Sequence, residues 1–452
     1  MKQSHKIVVV GGNAAGPAAA ARAKRVSPNS EIIMLEAGNY ISTGTCELPY
    51  VLSGKIKDYE DVIFFSPESF FNKKGVKVFV RNKVEHIDRK NKLLKIFDKN
   101  ENKIKEINYD KLILATGSIA KTLPAFAPGL KNVFSFKSVS DLVKIQKFIR
   151  TKKPSETVII GSGYIGLEIT EAVKENNLNV TLLESKLLPL PSADPVFSKK
   201  ILETLEKEKI KFISEIVDIE PFIKDDEVIS LKVDNTFLKP DLIISAVGFV
   251  PNNYLAKDAK IELGKYGGIK TDKNLKTSDA NIYAAGDVTE VINLVTGKPE
   301  FIPLAGHAYH QGHIAGENAA GGKLSFDPVV KNISVKIFDQ YFCSVGLNSE
   351  EADEHGFESA TLNEEFYNLV KIMPRSKKIF INLTFDKNSR RILGGAFLGN
   401  VEVSGYADVI STLIKLKQNV DVLEYINFNY TPPLSPFNNP LNLLGRISKR
   451  TK

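Results

Sequence analysis

Thr157-Val-Ile-Ile-Gly161-Ser-Gly163-Tyr164-Ile165-Gly166 joins a short apolar run to a complete G-x-G-x-x-G. The run reads as a buried parallel strand. The glycines let the backbone approach a pyrophosphate where a helix begins. A helical stretch follows, and then Val180-Thr-Leu-Leu-Glu184. An acid at that strand end accepts from a ribose 2′-hydroxyl and repels a 2′-phosphate. The same layout stands earlier in the chain. Lys6-Ile-Val-Val-Val10 runs into Gly11-Gly12-Asn13-Ala14-Ala15-Gly16, then an alanine-rich helix, then Glu31-Ile-Ile-Met-Leu-Glu36. Asn13 replaces the middle glycine of this copy. One copy alone is compatible with an ordinary glycine turn. Two copies, each with its strand, helix and acid, point to two nucleotide-binding folds.

Three further strand-like stretches end in glycine: Lys111–Gly117, Asp241–Gly248 and Asn281–Asp287, the last through Gly286. They suggest that the second fold is inserted within the first. The predicted division is 1–118 and 246–324 for the first fold, 119–245 for the second, and 325–452 for a separate α+β domain. That last domain has strand-like segments at Ile333–Phe338, Ile379–Phe385 and Ile392–Leu398, and a helix near Ala407–Leu416. The fold class is therefore α/β, two Rossmann-like dinucleotide-binding domains plus a C-terminal α+β domain.

Composition agrees with an ordinary globular protein. Of 452 residues, 43% are apolar and 25% charged, which argues against disorder and fibrous architectures. The net charge of +8 favours anionic ligands without implying nucleic acid. Two cysteines, Cys46 and Cys343, exclude a disulfide scaffold and fit a reducing compartment. The apolar run Ile7–Val10 is too short for a signal segment, and no 18-residue apolar stretch occurs. The expectation is a soluble cytoplasmic protein with no membrane or nucleic-acid partner.

The order of these motifs resembles the pyridine nucleotide–disulfide oxidoreductases. The matching segments are the first glycine turn, Ala115-Thr116-Gly117, the second glycine turn and Ala284-Ala-Gly286-Asp287. The resemblance implies FAD on the first fold and NAD(P)H on the second. Glu184 favours NADH, while Lys186 leaves NADPH open. It implies that Gly11, Gly12, Ala15, Gly16, Glu36, Ala115, Thr116, Gly117, Gly286 and Asp287 hold FAD, with Ala305 added. Gly161, Gly163, Tyr164, Ile165, Gly166, Glu168, Glu184 and Gly248 complete the cofactor set, Tyr164 as a gate over the flavin and Glu168 near the nicotinamide.

The loop Ile41-Ser42-Thr-Gly-Thr-Cys46-Glu47-Leu-Pro49-Tyr50 carries one cysteine where glutathione-type reductases carry two. It resembles the subgroup of coenzyme A-disulfide reductases, NADH oxidases and persulfide reductases. There a lone thiolate forms a mixed disulfide, persulfide or sulfenic acid beside the flavin. Pro49 marks a helix start after Cys46, and such a start lowers a thiol pKa. Glu47, by contrast, is expected to raise it. Ser42, Arg22, Arg25 and Lys74 match coenzyme A contacts of the subgroup. Tyr430, in Asn429-Tyr430-Thr-Pro-Pro, matches a tyrosine that reaches the partner subunit's cysteine, which implies a homodimer built on the last domain. The substrate implied is a small thiol, disulfide or persulfide, with coenzyme A derivatives favoured. Oxygen, or a small electron-transfer protein, is the alternative acceptor. No metal is assigned, although His310 and His313 have a spacing that metals use.

Glu47 departs from the subgroup, where relatives usually have a small residue, and three further features do as well. Met373 stands where a second cross-subunit tyrosine is expected. Ala14 stands where peroxidases carry histidine, which argues against a peroxidase. In Pro303-Leu-Ala-Gly-His307-Ala-Tyr-His310-Gln-Gly-His313, histidines replace the subgroup's Pro and two Arg. Cys343 reads as packing.

Overall fold

The first sheet is built from runs such as Ile7-Val8-Val9, whose side chains are fully buried on both faces. Continuous β-branched runs of this kind suit a parallel sheet covered on both sides. The computed structural model describes residues 5–450 and places five parallel strands in the order Ile282–Ala284, Lys111–Leu114, Lys6–Val10, Glu31–Leu35, Lys77–Phe79. The second sheet repeats the plan with Val133–Ser135, Leu242–Ser245, Glu156–Ile160, Asn179–Leu183 and Lys211–Ile213, again all parallel. The Asp241–Gly248 stretch thus belongs to the second sheet, whereas Asn281–Asp287 supplies the edge of the first.

Two short strands, Ser118–Ala120 and Phe249–Pro251, pair antiparallel between these sheets. They are the outgoing and returning crossings, hydrogen-bonded to each other. A third sheet of five antiparallel strands follows, in the order Asn332–Ile337, Gln340–Gly346, Ile392–Gly399, Lys378–Asp386, Ser359–Tyr367. Helix Val403–Lys415 covers it. Cys343 is buried in this sheet's core.

Several elements went unread in the sequence: the strand Ser359–Tyr367, the three-stranded sheet over 82–108, a second one over 219–238, and the helix Pro440–Ser448. The two smaller sheets are solvated on one face, so their apolar residues are sparse and interrupted by charge.

Packing fixes the glycine positions. Gly11 has φ +113°, and a Cβ there would lie 2.1 Å from the Ala115 carbonyl oxygen. A Cβ on Gly16 would lie 1.8 Å from the Gly11 oxygen, and one on Gly166 1.9 Å from the Gly161 oxygen. Gly16 and Gly166 therefore serve close strand–helix packing. The helix Ala15–Val26 also crosses helix Ala305–Ala319 at backbone distance. Cβ atoms on Gly312 and Gly316 would come within 2.2 and 2.1 Å of the Ala15 and Ala19 oxygens.

Candidate active site

Both helices that follow the glycine turns begin without a side-chain cap, at Ala14 and at Gly163. Their first N–H groups lack the usual internal acceptor, which suits an anion. A Cβ on Gly163 would meet nothing within 4 Å. That glycine is thus not demanded by the protein's own packing and leaves room for a ligand against the backbone. Gly117 and Gly248 are open in the same sense.

The first turn borders a cleft of ≈ 280 Å³ lined by Gly11, Gly12, Ala15, Glu36 and Asp287, with Ala115-Thr116-Gly117 and Gly286 at its floor. Glu36 accepts from the Gly12 N–H at 2.7 Å and the Gly38 N–H at 2.6 Å. Asn13 replaces the missing glycine without crowding the turn, because its Oδ1 accepts from the N–H and hydroxyl of Thr43, both at 3.2 Å. That bond ties the turn to the cysteine loop. Asp287 accepts from the Ser118 hydroxyl at 2.8 Å and pairs with Lys137 at 3.7 Å.

The second turn opens on a larger cleft of ≈ 990 Å³ lined by Gly161, Gly163, Tyr164, Ile165, Glu184 and Gly248. Glu184 is buried. Its Oε2 accepts from the Ser162 N–H and hydroxyl at 3.0 and 2.7 Å, and Oε1 accepts from the Lys186 N–H at 3.1 Å. Burial pushes its pKa up, but these donors outweigh burial and hold it below the usual range, so it is anionic at neutral pH. The Tyr164 ring stacks obliquely on Phe342, with centroids 6.4 Å apart.

Cys46 is exposed, lines this cleft and also lines a third cavity of ≈ 460 Å³. Arg22, Arg25, Ser42, Lys74 and His313 line that third cavity. Ser42 holds φ +49°, an unusual left-handed conformation for a non-glycine residue, and its N–H donates to the Gly12 carbonyl at 2.7 Å. After the thiol, Leu48–Leu52 forms a helix with Pro at its start. Leu48, Val51 and Leu52 sink into a core shared with Leu167 and Phe342. Each such burial contributes about 1.5–3 kcal/mol, which anchors the loop to both neighbouring units.

The expected lowering of the thiol pKa is not found. Desolvation by the surrounding walls pushes Cys46 up, Glu47 and Glu168 push the same way, and Lys137 opposes them. The helix has only five residues, a weak source of dipole. Lys137 was missed in the sequence. It is brought from just before helix Val139–Lys152, and its ammonium lies 4.1 Å from the Phe249 ring centroid. Burial lowers its pKa, and the charge of Asp287 opposes that.

Three further residues expected at the site lie as follows. Ala305 lines the Cys46 cavity with the basic side chains instead of the first cleft. Glu168 faces a small space under the cysteine helix, beside Pro49 and Tyr50, and not the second cleft. Burial, then the charge of Glu171, raise it to about 7. Tyr430 is 47% exposed with its ring edge-on to Phe437 at 5.3 Å, and is not among the residues around Cys46 of its own chain. Among the described residues no group of three or more His, Cys, Asp and Glu is arranged for a metal, and no helix is long and apolar enough to cross a membrane.

Two clefts at glycine turns, with one thiol lining the second, are the layout of a two-nucleotide oxidoreductase. The profile of the pyridine nucleotide-disulphide oxidoreductases matches residues 5–312. An NADH oxidase of Methanocaldococcus jannaschii is 30% identical over 439 residues, 97% of each chain. A CoA-dependent NAD(P)H sulfur oxidoreductase of Pyrococcus furiosus is 30% identical over 452 residues, covering 99% of this chain and all of that one. The solved structure of an NAD-dependent persulfide reductase from A. fulgidus matches with a TM-score of 0.94 at 30% identity, over 98% of this chain and 83% of that one. The chain belongs to the pyridine nucleotide-disulphide oxidoreductase family and is an oxidoreductase. FAD and NAD(P)H are the cofactors of this family, and the uncapped helix starts and open glycines described above fit them.

Proposed function

We propose that this chain reduces a low-molecular-weight disulfide, persulfide or polysulfide of coenzyme A type, using NAD(P)H, FAD and Cys46. The observation that carries the reading is the position of Cys46, open to the basic cavity on one side and to the nucleotide cleft on the other. Arg22, Arg25 and Lys74 bind the phosphates of the substrate, with Ser42 beside its sulfur. The Cys46 thiolate attacks one sulfur of the substrate disulfide. A mixed disulfide forms, the substrate S–S bond breaks, and one thiolate leaves and takes a proton from water. FAD, when bound, supplies the two-electron relay from NAD(P)H that reopens the mixed disulfide. Cys46 regains its thiolate as the second thiol departs.

The remaining residues serve this cycle. Lys137 is the cation that favours the Cys46 thiolate over the thiol. Glu168, titrating near neutrality, controls the negative charge beside it. Glu36 and Glu184 accept from the two riboses, and the carboxylate of Glu184 favours NADH. Gly11, Gly12, Ala15, Ala115–Gly117, Gly286 and Asp287 form the FAD cradle. Gly161, Gly163, Tyr164, Ile165 and Gly248 form the nicotinamide side. The units divide as 1–118 with 246–324, 119–245, and 325–452. The last unit pairs with a second copy, whose Tyr430 reaches Cys46. Exposed Tyr425, Leu434 and Phe437 around Tyr430 support that homodimer. Only two cysteines in 452 residues fit a reducing compartment, the cytoplasm.

The test is anaerobic NADH oxidation by the FAD-loaded protein with coenzyme A disulfide, beside Cys46→Ser. The expected result is turnover by the wild type and loss of at least about 10³-fold in the variant, as for removal of a nucleophile. Equal dye reduction by both with no disulfide turnover overturns the reading. Because a relative is named NADH oxidase, oxygen is the second acceptor to admit. Cys46-dependent oxygen consumption without disulfide turnover would transfer the assignment to it.

A further inference from the structure

We propose that His313 is a switchable cation of the anion cavity: uncharged in the free protein, it takes up a proton from solvent when a phosphate-bearing substrate binds. The proposal rests on the reading of that cavity as the site for coenzyme A-type substrates.

The geometry leaves His313 little freedom. Its helix, Ala305–Ala319, is locked against Ala15–Val26 by the Gly312 and Gly316 contacts. His313 follows the first of these glycines directly. Arg22 and Arg25 face it from the other helix, and both line the same cavity. Glu317, one turn along from His313, is already engaged, since Arg22 Nε donates to its Oε2 at 2.5 Å. The Nε2 atom of His313 is buried and has no hydrogen-bond partner among the described residues. An unpaired buried ring nitrogen costs free energy until something pairs with it.

The charges around the ring come from every side. Arg22 and Arg25 stand on the first helix, and His310 and Glu317 on its own. Lys74, from helix Pro67–Lys74, and Glu47, beside Cys46, line the far wall of the cavity. Burial, then Arg22, hold the imidazole below its ordinary value of 6.5, with Arg25 and His310 adding to this and Glu317 opposing. At neutral pH the ring is therefore uncharged. A phosphate group reverses the balance. It brings negative charge that offsets the arginines, and oxygens that only accept hydrogen bonds. The ring satisfies them by adding a proton and donating. Binding and protonation are thus linked, and affinity falls as pH rises through the pKa of the bound state. An arginine at this position would hold phosphate at any of these pH values. A histidine makes the hold conditional and eases release of the product thiol.

The experiment is calorimetric titration of the FAD-loaded protein with adenosine 3′,5′-bisphosphate, which carries phosphates and no sulfur. It is run at pH 7 in buffers of different ionisation enthalpy, so that the buffer dependence counts protons. The phosphate's own ionisation near 6 is followed separately by its phosphorus NMR shift in each complex and subtracted, so the remaining difference between variants is the readout. Wild type should take up more protons than His313→Gln, and its affinity should fall several-fold more between pH 6 and 8. His313→Arg should bind without the extra uptake and with a flatter pH profile. Equal proton counts in wild type and His313→Gln overturn the proposal. So does loss of the extra uptake in His310→Gln but not in His313→Gln. Those results leave the anion cavity itself standing. No binding to wild type at any pH would sink the coenzyme A-type reading and this proposal together.

Discussion

Replacing Glu168 by Gln isolates a cost that the fold carries at its centre. Glu168 lies on helix Tyr164–Glu175, under the cysteine helix and one turn before Glu171. Glu171 is itself held: it takes Lys55 at 2.9 Å, Lys336, and the Phe338 N–H at 2.7 Å. Burial first, and this neighbouring charge second, raise Glu168 from an ordinary 4.5 to about 7. Each pH unit of that rise corresponds to about 1.4 kcal/mol, so ionising Glu168 costs the folded state about 3 kcal/mol. The sign follows from linkage. Below pH 4.5 the group is protonated folded or unfolded and costs nothing. Between 4.5 and 7 the unfolded chain ionises first and stability is lost. Above 7 the full cost applies. Glutamine never ionises. The stability of Glu168→Gln relative to wild type should therefore climb by about 3 kcal/mol from pH 4.5 to 7.5. Denaturation midpoints of the FAD-loaded proteins, taken at pH 5, 6, 7 and 8, measure the climb. Above pH 7, alkylation of Cys46 should also run faster in the variant, because the Glu168 charge opposes the thiolate. Parallel stability profiles over the whole range would refute the argument.

Two further substitutions probe the same region. Glu47→Gln should shift the pH profile of Cys46 alkylation toward lower pH and raise its rate at pH 7 several-fold, since Glu47 is the largest charge opposing the thiolate; an unchanged profile removes Glu47 from the causes and leaves burial and Glu168. Gly312→Ala should destabilise despite the ~1 kcal/mol that alanine gains over glycine in a helix, because its Cβ would lie 2.2 Å from the Ala15 oxygen and such overpacking costs about 1–3 kcal/mol. Gly405→Ala is the control, exposed and with nothing within 4 Å, and should stabilise slightly; thermal midpoints that move together would contradict the backbone contact.

The sequence was legible where one residue type has one physical use. Gly11, Gly161 and the acids Glu36 and Glu184 declare strand, turn, helix and second strand in a local stretch. Cys46 and Pro49 likewise announce a thiol at a helix start. Lys137 was not legible, because nothing local distinguishes it from the other lysines of a basic chain. Only the crossing of the chain brings it to Asp287 and Phe249. Glu168 was legible from its motif as a site residue, but its raised pKa was not, because Pro49, Tyr50 and Glu171 are brought to it by tertiary packing. The direction of the Cys46 shift was legible in Glu47, but not its largest cause, burial. A helix start can be seen in sequence, but its length and the walls around the thiol cannot. The strand Ser359–Tyr367 escaped because Glu364 and Glu365 break its alternation.

Cys46 stands in a doorway, with a basic chamber on one side and a nucleotide chamber on the other. Reagents that share one chamber must queue, each waiting for the last to leave. If the basic cavity takes the sulfur compound and the larger cleft the pyridine nucleotide, as proposed above, the two do not compete for space. A spent nucleotide can linger without blocking the next disulfide, and a tightly held thiol product can linger without shutting out fresh reductant. Traffic control then falls to the door itself, whose readiness is set by the protons on Cys46 and Glu168.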